Sequence, residues 1–189
     1  MAGNLNIPWK RYGVIVDLAR RMESKQSQFG KTALQKMIFI LQDVFKIDCG
    51  YEFSLHTYGP FSSQVVHDLD FVETSKGVEV KSIGSSSGYI ILPGQEADRL
   101  QEKAAEFLNN QEVNNALNRL VEEFGDYSAK DLELISTITY VSKDLSEHNV
   151  SPSRGKVLQT VKHLKPKFSE DIIEKKMQNL LDNAFIQIK

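Results

Sequence analysis

From Leu34 to Leu41 the chain reads Leu-Gln-Lys-Met-Ile-Phe-Ile-Leu, apolar everywhere except at Gln35 and Lys36. The surrounding segment, Lys31 to Lys46, has helical periodicity, with Leu34, Met37, Ile38, Leu41 and Phe45 on one stripe. Phe39, Ile40 and Val44 widen that stripe well beyond one face. A helix so apolar must be packed on several sides, which places this segment, about 24 Å long at 1.5 Å per residue, at the centre of the domain. Its remaining polar edge carries Lys31, Gln35, Gln42 and Lys46.

The flanking segments fit around it. Trp9 to Met22 reads as a first helix, with Tyr12, Ile15, Val16, Ala19 and Met22 on its apolar stripe and Pro8 at a first-turn position. Tyr51 to Thr57 alternates, with Tyr51, Phe53 and Leu55 facing one way and Glu52, Ser54 and His56 the other, the signature of a half-buried strand. Tyr58-Gly59-Pro60 ends that strand, and Pro60 is expected to open a helix to about Thr74 whose buried face is Phe61, Val65, Leu69 and Val72. Gly77 stops it and releases two short strands, Val78–Ser82 and Tyr89–Leu92, around a flexible Gly84-Ser-Ser-Ser-Gly88 tip. Helix, helix, strand, helix and hairpin is the order of a winged-helix-like unit, assigned to residues 1–94.

Residues 95–189 read as a helical part. Segments Gln95–Asn110, Val113–Phe124, the helix entered at Ser128-Ala-Lys-Asp131, Ser153–Leu164 and a last helix capped by Ser169 each carry an apolar stripe. Phe185–Ile188 closes the chain as a short strand, so 151–189 resembles a second helix-turn-helix-like unit. The expected class is mainly α with a small β component.

At 189 residues, with 41% hydrophobic and 25% charged, the chain is long enough to bury a core without a disulfide or metal staple. Cys49 is its single cysteine, which excludes an internal disulfide. The densest apolar run, Met37–Leu41, is far short of the roughly 20 residues a membrane helix needs, so no membrane partner is expected. Asn4, Asn6, Pro8 and Lys10 interrupt any apolar signal core, and the expected location is cytoplasmic. His56, His67, His148 and His163 do not pair with one another or with Cys49 at metal-binding spacing, and no phosphate-binding loop or dinucleotide fingerprint occurs. No catalytic residue, metal ligand or cofactor is assigned, and the expectation is a protein that is not an enzyme.

Charge is segregated: residues 1–36 carry a net +5, 37–150 a net −11 and 151–189 a net +4. Winged helices often dock a helix in the DNA major groove, yet Phe61–Thr74 holds Asp68, Asp70 and Glu73 and no cation, so phosphate repels it. If nucleic acid binds, the contacts fall on Lys10, Arg11, Arg20 and Arg21, and on Arg154, Lys156, Lys162, Lys165 and Lys167. Neither cluster is interleaved with aromatics in a stacking pattern. An acidic middle between basic ends equally suits docking of another protein.

Lys31-Thr-Ala-Leu-Gln-Lys-Met-Ile-Phe-Ile-Leu41, followed by Gly50-Tyr-Glu-Phe-Ser-Leu-His-Thr-Tyr-Gly-Pro-Phe-Ser62, resembles the YwgA-like proteins of bacteria and archaea. It is more distantly similar to the Panacea (SocA-type) antitoxin domain. The shared features are Lys31, Leu34, Gln35 and Lys36, then Tyr58 to Ser62, then Asp68-Leu69. The resemblance covers Tyr12 to Leu92 and, loosely, the chain to Val141. It implies a winged-helix-like fold and, through the Panacea domain, a module that neutralises a toxin by direct contact. Partner-binding candidates on this reading are Lys31, Gln35, His56, Tyr58, Gly59, Pro60 and Phe61. The same residues also have a packing explanation, in which Gly59 allows a sharp turn and Gln35 satisfies backbone groups of the neighbouring strand. The leading expectation is therefore a protein-interaction or regulatory module; the alternative is a DNA-binding regulator of winged-helix type.

Overall fold

The apolar segment at the centre of the sequence is the central helix of the protein. In the computed structural model, which describes residues 7–84, 88–148 and 152–188, α2 spans Lys31–Asp43 and every residue from Ala33 to Leu41 is buried. α1 (Trp9–Ser24) and α3 (Ser63–Thr74) lie on one side of the fold, with α1 packed against α3 and against α4 (Ala97–Lys103). α6 (Gln111–Phe124) and α7 (Ala129–Glu147) pack against α2, and α8 (Arg154–Leu164) and α9 (Glu170–Asp182) pack against α7 and each other. One hydrophobic core runs through these helices, from Leu18 and Leu34 to Leu134, Val161 and Met177, and so continues across residue 94. The class is mainly α with a small β component.

The β component is two antiparallel hairpins. β1 (Ser54–His56) pairs with β2 (Gly59–Phe61), Leu55 facing Pro60 across the ladder. β3 (Val78–Ser82) pairs with β4 (Tyr89–Pro93), and the Ile91 amide also donates to the Phe29 carbonyl, which ties β4 to the loop before α2. The serine tip read as flexible has residues 85–87 outside the described residues.

The starts of α6 to α9 follow side-chain chemistry. Ser128 accepts from the Asp131 amide at 3.1 Å and donates to its carboxylate at 2.6 Å, while Asn110, Ser153 and Ser169 accept amides at the starts of α6, α8 and α9. Each such cap is worth about 1 kcal/mol.

Several elements depart from the sequence reading. Pro60 does not open α3; it sits in β2, and the helix begins at Ser63 because the chain after the turn first folds back on β1. The Gln95–Asn110 helix is broken at Ala104 into α4 and α5 (Ala105–Leu108). The break lies where α1 packs tightly on the segment: a Cβ built on Gly13 would fall 2.2 Å from the Ala104 Cβ. Phe185–Ile188 forms no strand; Phe185 instead stacks obliquely on Phe124, with ring centroids 5.2 Å apart, and Ile186 is buried.

Candidate functional site: a clamped hairpin

The chain after α2 lacks a neighbouring strand along much of its length, and α2 supplies the missing hydrogen bonds from side chains. Gln42 donates to the Tyr51 carbonyl at 2.9 Å and accepts from the Tyr51 amide at 3.0 Å. Gln35 makes the same reciprocal pair with Ser62, at 2.9 and 3.1 Å. A carboxamide has both a donor and an acceptor, so one side chain can satisfy both backbone groups of a residue. Seven residues separate the two glutamines, which puts them on one face of α2 two turns apart. Between them Lys36, buried at 2% exposure, donates to the Pro60 carbonyl at 2.5 Å.

From the opposite side α7 and the α8–α9 connection close on the turn. Gly59 has φ +87°, and a Cβ there would lie 3.0 Å from Thr137 Oγ1 and 3.3 Å from the Glu133 carbonyl oxygen. Glycine is required both by the left-handed backbone and by the close approach of α7. Glu133 and Lys165, 4% and 2% exposed, form a buried pair at 2.7 Å, and Lys165 also donates to the Thr57 carbonyl at 2.5 Å. Lys167 reaches the second Glu133 oxygen at 2.9 Å. Lys162 holds the connection itself, donating to the Pro166 and Phe168 carbonyls at 3.1 and 2.7 Å. α7 can bury so polar a face because Ser136 and Thr137 hydroxyls bond back to the Glu133 carbonyl.

Two lysines therefore hold one carboxylate, and a third, Lys36, feels its charge. Burial lowers Lys36 to about 8, opposed by the attraction of Glu133 and assisted by repulsion from Lys165. Burial pushes Glu133 up, but the hydrogen bonds from Lys165 and Lys167 outweigh it and hold the carboxyl below the usual carboxylate range. What reaches solvent is Tyr58, 68% exposed, with His56 tilted on Phe61 at 5.0 Å and Lys167 lying 5.9 Å from the Tyr58 ring.

The sequence candidates divide accordingly. His56 and Tyr58 are exposed and Phe61 is half-buried beside them. Gln35, Gly59 and Pro60 are buried and hold the hairpin rather than face a partner. Lys31 goes to the other hairpin, its ammonium 4.5 Å from the Tyr89 ring centre. Glu133 is not among the sequence candidates, although a lone acid in the largely apolar segment Leu132–Ile138 is a signal for a buried pair.

The N-terminal basic cluster is largely neutralised within the chain. Lys10 pairs with Asp48 at 3.1 Å, Arg20 with Asp98, Arg21 with Asp17, and Lys25 with Asp126 at 3.0 Å. Arg11 Nε lies 2.8 Å from Asp68 Oδ2, an ion pair too bent for a hydrogen bond, while Arg11 and Gln64 both donate to Oδ1, at 3.3 and 2.9 Å. Asp68 is thus buried, unlike the exposed His67 and Asp70, so only part of the acidic face of α3 meets solvent. In the second cluster Lys162, Lys165 and Lys167 are engaged as above, Arg154 donates to Gln178 at 2.6 Å, and Lys156 is exposed.

A cleft of about 800 Å³ lies apart from the hairpin, lined by Pro8, Trp9, Lys10, Asp48, Lys103 and Phe107 among others. Among the described residues no group of His, Cys, Asp and Glu side chains is arranged to hold a metal, and no helix is long and apolar enough to cross a membrane. No protein-family model matches the chain, and no curated protein matches it in sequence.

Proposed function

We propose that this protein is a non-enzymatic protein-interaction or regulatory module, antitoxin-like in the sense its family resemblance implies, located in the cytoplasm. Its partner docks on the exposed face of the β1–β2 hairpin. The observation that carries this reading is Tyr58: a fully displayed aromatic ring on a turn whose neighbours Thr57, Gly59 and Pro60 are all fixed by contacts from α2, α7 and Lys165. A large side chain on a rigid mount contributes contact area at little entropic cost, the usual character of a binding hot spot. The pairing of Lys10, Arg11, Arg20 and Arg21 with aspartates weighs against the DNA-binding alternative, since cations already matched release few counterions from phosphate.

Affinity capture with wild type and Tyr58→Ala, beside circular dichroism, tests the reading. Loss of partner with unchanged ellipticity is expected; equal capture by both overturns it. In a gel shift, duplex DNA bound at low salt and released steeply as salt rises would favour the regulator instead.

A further inference from the structure

The surface beside Tyr58 carries more cation than its own acids neutralise. Lys130 and Lys167 flank the Phe168 ring, with ammoniums 5.4 and 5.2 Å from its centre, and Lys167 stands 5.9 Å from the centre of the Tyr58 ring. Cation, ring, cation, ring thus follow one another from α7 across the α8–α9 connection to the hairpin tip. Lys130 is exposed and the Lys167 side chain is 46% exposed. Glu133, the carboxylate that Lys167 touches, is already shared with the buried Lys165. Asp131 is taken up by Lys176 at 2.8 Å and by Ser128.

We infer that this row receives an acidic segment of a partner protein, whose carboxylates pair with Lys130 and Lys167 while Tyr58 supplies the apolar contact. The inference rests on the proposed docking at the hairpin and adds the chemistry of what docks. Two surface ammoniums beside aromatic rings match one or two carboxylates on a peptide. A nucleic-acid backbone needs a longer row of phosphate contacts, and other cations here are taken up: Lys165 and Lys36 are buried on carbonyl oxygens and on Glu133, and Lys176 is paired with Asp131.

The test is a titration of the full ¹⁵N-labelled chain with a polyglutamate peptide, and in parallel with polylysine and an oligothymidylate strand. Polyglutamate should shift the amides of Tyr58, Lys130 and Lys167, and weaken by about threefold for Lys130→Gln and again for Lys167→Gln, as expected of rim ion pairs. Lys156→Gln, altering an exposed cation of α8, should leave it unchanged. Because Lys167 also touches Glu133, circular dichroism accompanies that variant and Lys130→Gln carries the comparison if it unfolds. Tighter binding of polylysine or of oligothymidylate overturns the inference, as does equal polyglutamate affinity in Lys130→Gln. Sedimentation showing a dimer that Lys130→Gln dissociates also overturns it, since a second copy then holds the face. If Tyr58→Ala loses its captured partner but Lys130→Gln keeps it, docking at the hairpin stands and the acidic chemistry falls.

Discussion

One ammonium, that of Lys165, bonds both Glu133 Oε1 at 2.7 Å and the Thr57 carbonyl at 2.5 Å, joining α7, the α8–α9 connection and the tip of the first hairpin. Removing one member of a buried pair leaves the other charged and unmatched. Glu133→Ala is therefore expected to cost about 3–5 kcal/mol in urea unfolding. The combined Glu133→Leu, Lys165→Met change should cost clearly less than the sum of its parts, because no orphaned charge remains.

Gly59→Ala combines a left-handed backbone with a crowded neighbour, Thr137 Oγ1. The expected loss is about 1–3 kcal/mol for the strained backbone alone. A lowered melting temperature with β1–β2 amides most shifted in NMR spectra would check it.

Lys36 gives stability a dependence on alkaline pH. Its ammonium loses its proton near pH 8 in the folded chain but near 10.5 when unfolded, so below pH 8 the unfolded state is not penalised and the folded one is. Between these values the unfolded chain binds more protons, and stability rises with pH. Cys49, pushed by burial from 9.0 to about 12, acts in the opposite direction above pH 9, as does the raised Tyr51 phenol. The difference in unfolding free energy between wild type and Lys36→Met isolates the first effect. It should move in favour of wild type from pH 8 toward 10.5.

Acid acts through Glu133. Its carboxyl titrates below 4.5 in the folded state, so the stability it contributes is complete above that value and is lost as pH falls through the folded pKa. Glu133→Gln should flatten this part of the acid unfolding curve.

The Cys49 thiol is fully buried and holds its proton to about pH 12. Native protein at pH 8 should react with a disulfide reagent only as fast as it unfolds, and urea should restore full reactivity.

Periodicity made the helices legible, because an amphipathic stripe is local information; the start of α2 and the caps at Ser128 and Ser169 match the sequence reading, while α2 ends at Asp43, three residues before the expected Lys46. Pro60 is ambiguous in sequence for a definable reason. Its fixed φ suits both a helix start and an edge strand, and the choice was made by Lys36 and α7, which are remote in sequence. The exposed aromatic at Tyr58 and the buried role of Gln35 could be seen in the sequence. The Glu133–Lys165 pair spans 32 residues, and the aspartates that match Lys10, Arg11 and Arg20 lie 38, 57 and 78 residues away. Nothing in local composition reports such pairings, which is why the N-terminal cluster reads as free although aspartates inside the fold answer its charge.

The two glutamines of α2 act as a gauge. Their carboxamides fix the distance between Tyr51 and Ser62 to two helical turns, so deleting one residue between Gln35 and Gln42 would swing one amide by about 100° and release that end of the segment. The span they measure cannot lengthen or shorten on its own, and the display of the tyrosine ring at its tip inherits that fixed dimension.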